Sequence, residues 1–307
     1  MIKLGIVGMS EGNGHPYSWG AIINGYDREA MASCPFPVIP QYLGERPVSD
    51  FGIGDARVTH IWTQDRAISE HVAKASKIEC VADRLEDMVP EIDALLLARD
   101  DGENHLEMAA PFLDKGIPVF IDKPLTDNRT DLEAFRRRFQ MGRPFLSSSC
   151  FRYCEELKAL AGEGFTYATA FSPKYWRTYG IHLLEGLRTV MGGGLKAVRD
   201  VGIQGHAHVQ LVWKDGREAL IEVVEGVAGP MAFQFHKADK WARVDRFDTF
   251  SMFKAQLATF VSMVETGKPP FPMEETFELV SVVVSARESR GNWVELVEVN
   301  METLSER

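Results

Sequence analysis

The segment Ile92-Asp93-Ala94-Leu95-Leu96-Leu97-Ala98 is a nearly continuous apolar run. A strand with one wet face alternates apolar and polar residues, whereas a strand buried on both faces of a parallel sheet does not. The run therefore predicts a central strand of a parallel sheet, and the flanking sequence supplies the helices such a sheet needs. Residues 2–7 form a first strand ending at Gly8, followed by the turn Gly8-Met9-Ser10-Glu11-Gly12-Asn13-Gly14. A helix runs from Pro16 to Asn24 and is closed by Gly25. Further strands are expected at Val58–Thr63, Ile78–Ala82 and Val119–Ile121. Helices are expected from Asp65 to Ser76, from Asp83 through Met88, and over Glu103–Lys115. Strand and helix in repeated alternation give a doubly wound, Rossmann-type α/β domain over residues 1–124.

Two regions break that rhythm. Pro35, Pro37, Pro40 and Pro47 fall close together within 28–57, a density that reads as an ordered loop insertion without regular elements. The second half, 125–307, has another grammar. It begins with a helix over Asn128–Phe139 and a strand over Pro144–Ser148. Strands at Phe165–Phe171, Lys196–Gly202, His206–Trp213, Glu218–Val224 and Phe233–His236 follow, with an Asp215-Gly216 hairpin turn between two of them. Helices at Arg177–Met191, Thr249–Glu265 and Glu274–Arg290 complete an α+β domain with a mostly antiparallel open sheet.

Composition narrows the function classes. Asp plus Glu number 44 against 34 Lys plus Arg, a net charge of −10, which argues against a nucleic-acid partner. No apolar run approaches the roughly 20 residues of a membrane span, and the start is too short and glycine-rich for a signal peptide. The four cysteines form no C-x-x-C pair, so a reducing cytoplasm is the expected compartment and no thiolate zinc site is expected. His206 and His208 share one strand face but have no third ligand, so no metal is expected. No G-x-S-x-G elbow supports a serine hydrolase.

The chemistry-bearing pattern sits at the ends of the N-terminal strands. A strand, a glycine turn and a helix N-terminus gather backbone N–H groups where a pyrophosphate can approach. Gly8, Ser10, Gly12, Asn13 and His15 are the candidates, although Ser10 and Asn13 stand where a G-x-G-x-x-G spacing has glycines. At the end of the second strand Thr63 or Asp65 is the candidate for the adenosine ribose, with Asp65 also readable as a helix cap. The choice between NAD and NADP stays open.

The run Ile92–Ala98, then His105, then Gly116-Ile117-Pro118-Val119-Phe120-Ile121-Asp122-Lys123-Pro124-Leu125 resembles the core of the Gfo/Idh/MocA oxidoreductases. Asp122 stands in place of that family's Glu. Gly267-Lys268-Pro269-Pro270 and Ser285-Ala286-Arg287-Glu288-Ser289 resemble its closing helices, and Trp293-Val294-Glu295-Leu296 its last strand. The resemblance implies a nicotinamide cofactor, NAD or NADP, with Ala98, His105, Asp122, Lys123 and Pro124 along it. It implies that Lys123 hydrogen-bonds the reacting substrate oxygen. It also places His182 at the end of an Asp-x-x-x-His motif, where Thr178 replaces the Asp, and gives His182 the role of taking or giving the hydroxyl proton. Trp19, Arg152, Tyr175, Trp176, Tyr179 and Glu185 are the candidate substrate contacts. The implied activity is hydride transfer on a sugar, cyclitol or nucleotide-activated sugar. An NAD-using glycosidase or lyase and a non-catalytic dinucleotide- or sugar-binding regulator stand as alternatives. A homodimer or homotetramer through the C-terminal sheet is implied with it.

Overall fold

The computed structural model describes residues 1–297. Its contacts divide the chain into two units. The first comprises Met1–Lys123, Ala134–Ser147 and Thr249–Pro270, and the second Pro124–Glu133, Ser148–Asp248 and the segment from Phe271 onward.

Through residue 146 the elements are β1 (Lys3–Gly8), α1 (His15–Asn24), α2 (Arg28–Ala32), α3 (Val38–Gly44), β2 (Arg57–Thr63), α4 (Arg66–Ala75), β3 (Cys80–Val81), β4 (Ala94–Leu97), α5 (His105–Leu113), β5 (Val119–Ile121), α6 (Arg129–Gln140) and β6 (Phe145–Leu146). The six strands form one parallel sheet in the order β3-β2-β1-β4-β5-β6. All four residues of β4 are buried, as a two-faced strand requires.

Three expectations are corrected here. The proline-rich stretch 28–57 is not free of regular structure, because it holds α2, α3 and a short 3-10 turn at Val48–Asp50. Three of its four prolines lie where a missing N–H costs nothing. Pro37 and Pro47 are N-caps, and Pro40 sits in the first turn of α3. The strand expected at Pro144–Ser148 is the two-residue β6, and it pairs in parallel with β5 at the edge of the first sheet. The division near residue 124 is not a single cut either, since 134–147 and 249–270 return to the first unit. The later segment carries α9 (Thr249–Thr266), whose Phe253 and Phe260 pack 6.3 Å from Trp19 and 5.6 Å from Phe120, ring to ring. Burying those rings ties the helix to the N-terminal sheet.

The second unit contains α7 (Glu155–Lys158), β7 (Tyr167–Pro173), α8 (Trp176–Met191), β8 (Leu195–Asp200), β9 (His206–Trp213), β10 (Glu218–Val224), β11 (Ala232–Lys237), β12 (Lys240–Val244), α10 (Met273–Ser289) and β13 (Val294–Glu295). Its sheet has seven strands in the order β12-β11-β7-β10-β9-β8-β13, antiparallel throughout except for the β7–β10 pair. The Asp215-Gly216 turn joins β9 to β10, with Gly216 at φ +87° supplying the left-handed residue. The β11–β12 hairpin was not foreseen beyond its first strand, because Lys240–Val244 carries the exposed Trp241 and little apolar alternation. α8 approaches the sheet closely at Gly186, where a Cβ would lie 2.5 Å from Phe233.

Candidate active site

In the first sheet β1 lies between β2 and β4, so the connection reverses direction there. The crevice beyond the carboxyl ends of such strands is where open α/β sheets bind ligands. The loop from Met9 to Gly14 fills one side of it and leads into α1. Gly8 lets strand and helix touch, because a Cβ would lie 2.3 Å from the Pro16 ring. Gly12 adopts φ +76°, and a Cβ there would meet nothing within 4 Å. Among the described residues the amides of Ser10, Glu11, Gly12 and Gly14 donate to no protein acceptor. Unpaired amides beside a helix N-terminus and an open glycine suit the pyrophosphate of a dinucleotide, so the residues present fit that group.

Two carboxylates tie this loop to the strands. The Ser10 hydroxyl donates to Asp100 Oδ1 at 2.6 Å, and Asp100 Oδ2 accepts from Lys123 Nζ at 3.2 Å. Asp122 Oδ2 accepts from Asn13 Nδ2 at 3.1 Å and lies 2.5 Å from His15 Nδ1, while its Oδ1 accepts from the Lys123 backbone N–H at 2.7 Å. Burial alone would push the Asp100 carboxyl up. The Lys123 ammonium, the Ser10 hydroxyl and His15 outweigh it and hold that carboxyl well below the ordinary carboxylate range. Lys123 is buried, with 5% of its side chain exposed, so the crevice holds a desolvated ion pair at the end of β5. Met9 is held at its N–H by Gln64 Oε1 and at its carbonyl by Gln64 Nε2 and Arg99 Nη1.

In the second unit the 3-10 turn Cys150–Tyr153 and α8 bring together Ser149, Arg152, His182 and Glu185. Ser149 Oγ lies 2.6 Å from His182 Nδ1, and the Ser149 N–H donates to Glu185 Oε1 at 3.2 Å. Arg152 bridges Glu185 at 2.7 Å and Glu275 at 2.6 Å. Burial raises the Glu185 carboxyl, with Arg152 opposing the shift. Tyr179 stands edge-on to the His182 ring at 5.3 Å, and Lys174 lies over the Tyr179 ring at 4.9 Å.

Several expected contacts have other work. Trp19 is fully buried against His15 and Phe120, so it is core and not a substrate wall. Trp176 is buried and donates its indole N–H to the Val283 carbonyl at 3.1 Å, which makes it an anchor of α8 on α10. Tyr175 is exposed. Thr63 is turned inward, its hydroxyl bonded to Ser69 and the Asp65 carbonyl. Asp65 caps α4 through the amides of Ala67 and Ile68. His105 is buried and its Nε2 pairs with the Arg99 carbonyl at 2.9 Å, pinning the loop after β4. Ala98 is buried behind that loop, and Pro124 begins the second unit. Among the described residues no group of three or more His, Cys, Asp or Glu side chains is placed to hold a metal ion. No described helix is long and apolar enough to cross a membrane.

Sequence reasoning missed Asp100, Gln64 and Ser149. Asp100 carried a readable signal, since a carboxylate just past a central strand faces the same crevice as Lys123. Ser149 carried none, being 33 residues from the histidine it touches.

The chain combines a Rossmann-type parallel sheet, with a buried lysine at the end of β5, and a second α+β unit. Residues 2–141 match the model of the Gfo/Idh/MocA oxidoreductase family, NAD-binding Rossmann fold. Solved structures share the fold over almost the whole chain. Myo-inositol 2-dehydrogenase from Lactobacillus plantarum aligns with TM-score 0.74 and 14% identity, covering 96% of this chain and 99% of that one. Myo-inositol dehydrogenase from Lactobacillus casei, solved with NAD(H) and myo-inositol, aligns with TM-score 0.74 and 12% identity over 99% of each chain. A probable dehydrogenase from Thermotoga maritima aligns with TM-score 0.72 and 15% identity over 96% of this chain and 98% of its own. No curated protein matches the sequence.

Proposed function

We propose that this protein is an NAD- or NADP-dependent oxidoreductase acting on a hydroxyl-bearing carbon of a sugar, cyclitol or nucleotide-activated sugar. The observation that carries the reading is the desolvated Lys123 ammonium, paired with Asp100 at the crevice where the unpaired amides of Ser10, Glu11, Gly12 and Gly14 gather. The nicotinamide, when bound, supplies the hydride acceptor or donor. Lys123 lowers the energy of negative charge on the reacting oxygen, an effect that grows in a site with little water. Asp100 and Asp122 orient that lysine from its head and its backbone. Ser10, Gly12 and Asn13 cradle the phosphates. His182 is the second group assigned to the substrate hydroxyl. The partner is then a small sugar-like molecule, and the assembly a homodimer or homotetramer through the second sheet.

One observation favours a non-catalytic binding protein instead. Gln64, just past β2, bonds both the N–H and the carbonyl of Met9, so the loop is tied to the strand end by protein contacts alone. Titration with NADH and NADPH, followed by fluorescence, separates the two readings, since binding of neither supports the regulator. Given binding, Lys123→Ala is expected to lower turnover by about two orders of magnitude or more while the dinucleotide Kd stays within about threefold. Near-normal turnover in that variant removes Lys123 from the reaction.

A further inference from the structure

We propose that binding of a dinucleotide diphosphate takes up a proton at His15 Nε2, so that an imidazolium held against Asp122 offsets the incoming negative charge. This rests on the reading of the first-unit crevice as a dinucleotide site, and every group involved lies in that unit. Asp122 is buried, with 1% of its side chain exposed, and His15 Nδ1 lies 2.5 Å from its Oδ2. Two bare lone pairs cannot meet at that separation, so a proton lies between them. Imidazole is a stronger base than a carboxylate by about two pKa units, so that proton belongs to Nδ1. Asp122 then accepts three times, from His15, from Asn13 Nδ2 at 3.1 Å and from the Lys123 N–H at 2.7 Å. Asn13 Nδ2 also lies 3.3 Å from Nδ1, but its hydrogen goes to the carboxylate. The neutral ring keeps its lone pair on Nε2, and that is the atom a further proton must join. Among the described residues no protein group bonds Nε2, and it is not one of the buried atoms left unsatisfied. With 18% of the side chain exposed, Nε2 meets solvent.

Trp19 stacks on the ring at 4.8 Å and 16°, and Phe253 of α9 meets it edge-on at 5.1 Å. An aromatic face also favours a cation lying against it. The charged groups on the elements around the ring are few. The loop carries the exposed Glu11. The ends of β4 and β5 carry Asp122, the Asp100–Lys123 pair and the Arg99–Asp101 pair. On α9 the Lys254 ammonium is turned to the Asp50 carbonyl. Burial raises the Asp100 carboxyl while Lys123, Ser10 and His15 hold it down, so His15 is within electrostatic reach of the carboxylate that Ser10 touches. Lys123 is matched by Asp100 and Arg99 by Asp101, which leaves the charges of Asp122 and Glu11 unmatched while the ring is neutral. A diphosphate adds two negative charges beside the amides of Ser10, Glu11, Gly12 and Gly14. Of the groups named, the imidazole is the one that gains a positive charge near neutral pH. Ligand and proton then favour each other by the same factor, as coupled binding requires. One charge pair near a protein surface makes that factor on the order of tenfold.

The test is isothermal titration calorimetry of the full chain with NADH, with NADPH and with ADP-ribose, which keeps the diphosphate and lacks the nicotinamide. Titration in PIPES and in imidazole, buffers of unlike ionisation enthalpy, counts the protons exchanged. The wild type should take up about half a proton near pH 7, and its Kd should weaken roughly fivefold to tenfold between about pH 6 and pH 8. His15→Gln should bind without that uptake and with a flat Kd. His15→Lys, which keeps a charge at all these pH values, should also show a flat Kd. Wild-type binding without proton uptake overturns the proposal, as does uptake that persists in His15→Gln. Should the glutamine variant fail to fold, the lysine variant supplies the same comparison. Proton-linked binding of ADP-ribose without binding of NADH or NADPH would sink the dehydrogenase reading and leave the proposal standing. Binding of either reduced dinucleotide with a Kd indifferent to pH would do the reverse, and binding of none of the three overturns both.

Discussion

Replacing Asp100 by asparagine isolates the charge at the centre of the first-unit crevice. The side chain keeps its volume and can still accept from Ser10, so what it loses is the counter-charge to Lys123. In the native pair 17% of the Asp100 side chain and 5% of the Lys123 side chain are exposed. Breaking a buried pair by removing one partner costs about 3–5 kcal/mol, and the partial wetting of Asp100 points to the lower end, about 3 kcal/mol. At roughly 2–4 °C per kcal/mol for a body of 150–250 residues, the melting temperature of Asp100→Asn should fall by roughly 6–12 °C near neutral pH. The pH dependence fixes the cause. Burial raises the Asp100 carboxyl, but Lys123, Ser10 and His15 depress it further than burial lifts it. A depressed carboxylate adds stability above its unfolded pKa of about 3.9 and loses it as pH falls through the folded value. Calorimetry should therefore show a wild-type advantage that is flat above about pH 5 and shrinks below about pH 4. Equal melting temperatures at neutral pH, or a gap unchanged between about pH 3 and pH 7, would refute an ionised Asp100 paired with Lys123.

Gly8→Ala places a Cβ 2.3 Å from Pro16, so we expect about 1–3 kcal/mol of destabilisation in a urea melt together with weaker NADH binding. No change in either measurement would mean that strand and helix are not in contact at that point. Alkylation at mildly alkaline pH, read by mass spectrometry, should modify the exposed Cys80 first and leave the buried Cys34, Cys150 and Cys154 largely intact. Burial, then Glu156, pushes the Cys154 thiol up to about 12, so rapid modification of that residue would contradict the packing around it.

Much of the architecture was legible because the first sheet is written in its strands. The run at Ile92–Ala98 and the glycine turn after Gly8 each name a two-faced strand or a strand–helix corner without reference to distant residues. The Asp215-Gly216 hairpin is equally local. What stayed hidden depends on partners far along the chain. The prolines of 28–57 read as breakers until Pro37, Pro40 and Pro47 are seen at helix starts. Phe145–Leu146 looks like any short strand, and only its pairing with Val119 and Phe120 assigns it to the parallel sheet. Trp19 and Trp176 suggested a sugar-binding wall, since an aromatic beside polar residues looks the same whether it faces ligand or core. The Asp100–Lys123 and Ser149–His182 pairs span 23 and 33 residues, and no spacing rule announces them.

The return of Thr249–Pro270 to the first unit has a consequence for synthesis on the ribosome. The N-terminal sheet cannot finish its own core when β5 emerges, because the helix that covers Trp19 and Phe120 is encoded after the entire second sheet up to β12. At roughly 5–20 residues per second the nascent domain waits on the order of ten seconds with those aromatic rings uncovered. During that interval it is a natural client for chaperones, and a chain released before α9 would leave an adhesive fragment instead of a free-standing nucleotide domain.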